Sequence, residues 1–125
     1  MTIDVVVPDS MRKTYDRLHF APAVRENGLI FVSGVIGTGD SAEEEFRDAW
    51  VKVGEILTAA GAGYADIVDT TIYLVDIGAN TAAMARAKDA FIAAPYPAST
   101  WIGISGLVIA GARAEIKVTA RCKRG

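Results

Sequence analysis

One cysteine, Cys122, and one histidine, His19, are all the thiol and imidazole that 125 residues offer. A single thiol cannot close an intrachain disulfide, which fits a reducing compartment. Cys122 has no acid–base motif near it and no metal-ligand spacing. His19 has no partner motif and reads as a surface or packing residue. No triad, phosphate-binding loop or zinc pattern is present. Positive charge is also scarce: the net charge is −2, not the lysine and arginine excess of a nucleic-acid binder. The run Arg121-Cys122-Lys123-Arg124 reads as a solvated tail. No apolar stretch approaches the roughly 20 residues that span a bilayer. The start, Met1-Thr2-Ile3-Asp4, lacks the basic-then-apolar form of a secretion signal. These absences lead to an expectation of a cytoplasmic protein with no metal, no cofactor, no nucleic acid and no membrane among its partners.

Apolar residues are abundant, at 51% of the chain. The length suits one domain over residues 1–125. A lone domain this small buries only about two-thirds of its unfolded surface. The apolar surplus therefore reads either as a well-filled core or as an interface between copies.

The order of elements follows from periodicity and turn chemistry. Ile3 to Val7 is a short β-prone run, followed by a polar segment from Asp9 to Arg17. Phe20 to Arg25 and Leu29 to Val32 flank Asn27-Gly28, the dipeptide that tolerates positive φ in a tight hairpin. Ser41 and Glu44 have the spacing of a capping box. The helix they open repeats apolar residues at Phe46, Ala49, Trp50, Val53, Ile56 and Leu57. Gly61 and Gly63 end it. Gly54, mid-helix, costs roughly 1 kcal/mol against alanine, and a close neighbour would account for it.

Ile67 to Ile77 is the next strand, with Val68, Thr70, Ile72 and Leu74 on one face and Ile67, Asp69, Thr71, Tyr73 and Val75 on the other. Asn80 is expected to cap a second helix carrying Ala83, Met84, Ala87 and Phe91, stopped by Pro95 and Pro97. Ala98 to Ser105 is β-prone. The last strand alternates, with Ala114, Ile116, Val118 and Ala120 facing one way and Arg113, Glu115, Lys117 and Thr119 the other. The order is β-β-β-α-β-α-β-β. Two helices cover one face of such a sheet; Ile67, Tyr73, Val75 and Trp101 make the other too apolar for water, so a partner subunit is expected there.

Several segments in this order resemble the YjgF/Rid family of reactive-intermediate deaminases. They are Ala23 to Gly34 with its Val-Ser-Gly ending, Leu57 to Ala62, Asp66 to Leu74, Phe91, Pro97-Ala98 and Glu115-Ile116. The resemblance implies an α+β, chorismate-mutase-like subunit: a six-stranded mixed sheet with two helices on one face, joined as a homotrimer around a central barrel. It implies clefts between subunits, and hydrolysis of enamines or imines to ketoacids and ammonia without a cofactor. Other members are described as ribonucleases or translation inhibitors.

Carried over by position, the resemblance places Ser33, Gly34, Ser99, Trp101 and Phe20 around a small-molecule ligand, with Glu115 as the catalytic carboxylate. Phe20 stands where a tyrosine is usual. Ser99 stands where an arginine grips a substrate carboxylate, and Trp101 where a cysteine is frequent. Met84 and Ala87 replace an asparagine and a tyrosine. These departures imply a substrate other than the usual amino-acid-derived imines, or a trimer that binds a metabolite without turnover.

Read as residues, each candidate has an ordinary alternative. Glu115 either orients a water for attack on a C=N carbon or pairs across strands with a cation. Ser99 either donates to a ligand or fills space, and cannot reproduce a two-pronged guanidinium grip. Trp101 either walls a cleft or packs at an interface. Ser33-Gly34 either offers N–H groups to developing negative charge or ends a strand. Arg25 and Arg113 are the arginines near these segments that could restore the missing charge.

Overall fold

The computed structural model describes residues 2–122. Six strands form one mixed sheet in the spatial order β1-β2-β3-β6-β4-β5. They are β1 (Asp4–Val6), β2 (Ala23–Glu26), β3 (Leu29–Val32), β4 (Ile67–Val75), β5 (Ala98–Ile104) and β6 (Ala114–Arg121). All neighbours are antiparallel except β4 and β5, which run parallel and are joined by a helix. Three α-helices accompany them: α1 (Arg12–Leu18), α2 (Ala42–Ala59) and α3 (Ile77–Asp89). The α+β class, the mixed six-stranded sheet and the two long helices over one face are as the sequence suggests. Helix α1 falls in the segment read only as polar; none of its residues is buried, so no apolar stripe announces it.

The β2–β3 hairpin turns at Asn27 and Gly28, with φ of 51° and 79°. Both central residues are left-handed, as a hairpin matching the sheet's twist requires. Helix α2 begins with the expected capping box: Glu44 N donates to Ser41 Oγ at 3.1 Å, and Ser41 N donates to Glu44 Oε1 at 3.1 Å. Its buried stripe of Phe46, Ala49, Trp50, Val53, Ile56 and Leu57 meets Ile30, Val32, Ile116 and Val118 from the sheet. Gly54 has its close neighbour. A Cβ there would lie 2.2 Å from Tyr64 Oη, and that hydroxyl donates to the Trp50 carbonyl at 2.6 Å.

Two local expectations need correction. Helix α3 starts at Ile77 after a left-handed Asp76, not at Asn80; Asn80 Nδ2 instead donates to the Val75 carbonyl at 2.6 Å, from within the first turn. It ends at Asp89, before the prolines are reached. In β4 a register shift between Ile67 and Asp69 puts Ile67 in the core and Val68 in solvent, the reverse of simple alternation. A bulge inserts one unpaired residue and so exchanges the faces on either side of it.

Candidate active site

The sheet's second face carries Val5, Val24, Phe31, Tyr73, Val75 and Ile102. Phe31 is 42% exposed and Ile102 40%. Ile67 and Trp101, expected on this face, are on the other. Trp101 pairs with the buried Ile72 across β4–β5 and packs against the core, beneath the helices. Ser99 shares its side: Trp101 Nε1 donates to Ser99 Oγ at 2.9 Å.

Glu115 is on the open face, paired with Tyr73 of β4. It has neither an ion-pair partner nor a hydrogen bond among the described residues, so the cross-strand ion pair does not form. Its carboxyl group lies against Gly34: a Cβ on Gly34 would be 2.4 Å from Glu115 Cδ. Glycine at 34 is what makes room for the carboxylate. Val35 and Ile116 exchange backbone hydrogen bonds at 2.8 and 2.9 Å, which locks the loop after β3 against β6 at this point. The Gly34 N–H has no acceptor among the described residues.

Ser33 is anchored by both its polar groups. Its N–H donates to the Pro22 carbonyl at 2.9 Å and its Oγ to the Ala21 carbonyl at 2.6 Å. Those bonds bring the Phe20–Pro22 turn next to Ser33. Phe20 lines a groove of about 500 Å³ with Ile3, Val5, Tyr15, His19 and Val24. The fold thus gathers Ser33, Gly34 and Glu115, with Phe20 close by. It does not gather Ser99 and Trp101 with them inside one chain, because those two occupy the opposite face.

Neither arginine is free to supply a replacement charge. Arg113 donates to the buried Glu45 at 2.7 Å from its side chain and 2.8 Å from its backbone N–H, and to the Asp40 carbonyl at 3.2 Å. Arg25 donates to Asp4 at 2.9 Å and to the Ala60 carbonyl at 3.0 Å. The hydrogen bond from Arg25 holds the Asp4 carboxyl below its usual pKa and raises that of the guanidinium. The cation overlooked in the sequence is Lys117. Its Nζ lies 3.3 Å from the Val32 carbonyl, on Glu115's face, and alternation along β6 already placed it there.

Met84 and Ala87 are buried in the core, so α3 presents no polar side chain at those positions. No group of three His, Cys, Asp or Glu residues among those described could hold a metal ion. No helix among them is long and apolar enough to cross a membrane. Lys123 and Arg124 of the basic tail lie outside the described residues; Arg121 pairs with Asp66 at 3.4 Å.

The family described as Endoribonuclease L-PSP matches residues 13–122. This is the YjgF/Rid grouping, and the chain belongs to it. The RutC family protein YjgH of Escherichia coli K12 is 32% identical over 123 residues, covering 93% of this chain and 92% of YjgH. Reactive Intermediate Deaminase A of Arabidopsis thaliana is 33% identical over 109 residues, which is 81% of this chain but 57% of the plant protein. Among solved structures, Protein YjgH superposes with a TM-score of 0.89 at 30% identity, over the whole of both chains. Rv2704 of Mycobacterium tuberculosis does so at 0.85 and 27% identity, over 96% and 99%. The Rid subunit fold is shared end to end. Within it, Ser99 and Trp101 are bonded to each other where the family resemblance calls for an arginine.

Proposed function

We propose that the protein is a homotrimer that hydrolyses the C=N bond of a small enamine or imine in clefts between its subunits, without a cofactor. The observation that carries this reading is Glu115: a carboxylate without an ion-pair or hydrogen-bond partner among the described residues, seated on Gly34 beside a peptide N–H that has no acceptor among them, on a sheet face where Phe31 and Ile102 are exposed. The names of its relatives agree with the chemistry, as several are deaminases.

The reaction asks little of the protein. Protonation of the nitrogen makes the carbon electrophilic; an enamine first takes a proton at carbon. Glu115 accepts a proton from the attacking water as it adds to that carbon, and the proton passes on to the departing amine. The Gly34 N–H is available to a ligand oxygen, and positioning supplies much of the gain. In the trimer, the edge strand β5 of a neighbour would bring its Ser99 and Trp101 to the seam beside Glu115. The serine in the arginine's place makes the substrate atypical for the family.

The test is ammonia release from a freshly generated imine or enamine. Wild type should accelerate it, and Glu115→Gln should lower the rate by about 10²- to 10⁴-fold, the usual reach of a positioned acid–base group. A variant with full rate would remove Glu115 from the mechanism. A second reading has one observation in its favour: the Ser99 hydroxyl is already engaged by the Trp101 indole. A trimer that binds a metabolite without turning it over would show saturable binding and no ammonia.

A further inference from the structure

Glu45, on α2, is a buried carboxylate that the proposed reaction does not use. Burying a carboxylate is costly unless it is paired, and a buried pair often stabilises no more than apolar residues of similar volume would. Both of its oxygens are taken by one residue: Oε2 accepts from the Arg113 N–H at 2.8 Å and Oε1 from the Arg113 guanidinium at 2.7 Å. The Arg113 carbonyl accepts in turn from the Val75 N–H at 2.9 Å. The backbone of Arg113 is thus gripped by α2 through its N–H and by β4 through its carbonyl, two residues short of Glu115. The backbone of Glu45 is engaged as well. A Cβ on Gly37 would collide with the Glu45 carbonyl oxygen and one on Gly39 with its nitrogen, so the loop after β3 lies directly on this turn of α2. The Thr38 N–H pins that loop to Asp48 at 2.8 Å, and the Asp40 carbonyl accepts from the Arg113 guanidinium at 3.2 Å.

Two paths therefore leave Glu45. One runs through Arg113 along β6 to Glu115. The other runs back along the loop, through Gly39 and Gly37, to Gly34. They meet where the Glu115 carboxyl group lies against Gly34, and the Val35–Ile116 hydrogen bonds close the ring. From this closed circuit we infer that Glu45 is a positioning residue: it fixes the Glu115 carboxylate relative to the Gly34 N–H, from outside the site. The inference rests on Glu115 and Gly34 being the reacting pair of the proposed hydrolysis, and it gives α2 a part beyond covering the sheet. An apolar residue at position 45 would leave the Arg113 N–H without its acceptor and the guanidinium without its anchor. Strand β6 and the loop could then shift independently. A displacement of about 1 Å between reacting groups is enough to cost about a hundredfold in rate.

Glu45→Met breaks both bonds at nearly constant volume, whereas Glu45→Gln keeps an oxygen for the Arg113 N–H. Gly54→Ala is the control, since it disturbs α2 at Tyr64, away from this circuit. NMR follows the Gly34 amide and Glu115 carboxyl resonances at neutral pH, and ammonia release from a fresh imine gives kcat and KM. Glu45→Met should move both resonances and lower kcat at least about tenfold, with KM within about twofold because residue 45 meets no ligand. Glu45→Gln should move them less and lower kcat about threefold, as one of the two bonds survives. Gly54→Ala should leave both resonances in place and kcat within about twofold, as independent sites do, although its stability falls. Unmoved resonances with full kcat in Glu45→Met would overturn the inference. Equal displacement in Gly54→Ala would overturn it too, by reducing Glu45 to a stabilising residue. Should Glu45→Met not fold, Glu45→Gln decides alone, and unmoved resonances in it overturn the inference. The resonances also separate this result from the proposed hydrolysis. Displacement in Glu45→Met when wild type releases no ammonia keeps the hold on Glu115 and removes the reaction. Ammonia release that needs Glu115 but is unchanged in Glu45→Met keeps the reaction and removes the positioning role.

Discussion

Beneath the helices, Ile30, Ile72, Leu74 and Ile116 are fully buried, and alternate residues of the same strands on the other side are Phe31, Tyr73, Glu115 and Lys117. On the covered side most polar groups have partners among the described residues, the buried Trp50 Nε1 and Thr70 Oγ1 excepted, and the ion pair of the buried Glu45 with Arg113 ties the start of β6 to α2. On the open side the Glu115 carboxylate, the Lys117 ammonium and the Gly34 N–H have no full set of partners among the described residues, and large apolar residues meet solvent. One face is optimised for holding the subunit together. The other keeps unused capacity, which is what a ligand or another copy of the chain can satisfy.

That contrast can be broken from the covered side first. Trp50 is completely buried and stacks on Phe91 at 6.5 Å between centroids. Trp50→Ala should cost about 3–5 kcal/mol in urea unfolding, the range for deleting a buried aromatic. Arg113→Met should cost about 2 kcal/mol, since it leaves the buried Glu45 carboxylate with only the backbone N–H. That is below the usual figure for a fully buried pair because the Arg113 side chain is 35% exposed. Gly54→Ala should cost about 1–2 kcal/mol although alanine favours helices, because its methyl group displaces Tyr64 from Trp50. A gain in stability would show that Tyr64 yields freely. Phe31→Asp, on the open face, should change the stability of the isolated subunit by less than about 0.5 kcal/mol, as surface substitutions do, while weakening self-association. A large loss of subunit stability would mean that Phe31 belongs to the core after all.

Much of the fold could be read from local signals that have a single physical meaning. The Ser41/Glu44 capping box, the Asn27-Gly28 turn and the alternation in β6 each specified one conformation, and each forms. Helix α1 could not be read, since a short exposed helix has no buried stripe to generate a period. The bulge at Ile67/Asp69 could not be read either, as both faces of β4 carry apolar residues and a one-residue slip leaves no mark on such a pattern. The candidate site was legible by halves. The structure sets Glu115 against Gly34, two positions the family resemblance had named, whereas residue positions alone gave no sign that Ser99 and Trp101 lie across the sheet from them. Which cation is free depends on the partners of Arg25 and Arg113, Asp4 and Glu45, and these are 21 and 68 residues distant in the chain.

The claim on which the rest depends is that the open face is a seam between copies of the chain, and sedimentation velocity measures it directly. At micromolar concentration the account predicts one species of about three times the 13.2 kDa chain mass. A single species at the mass of one chain would contradict it, leaving Glu115 and Lys117 on a bare surface with no neighbour to complete the site.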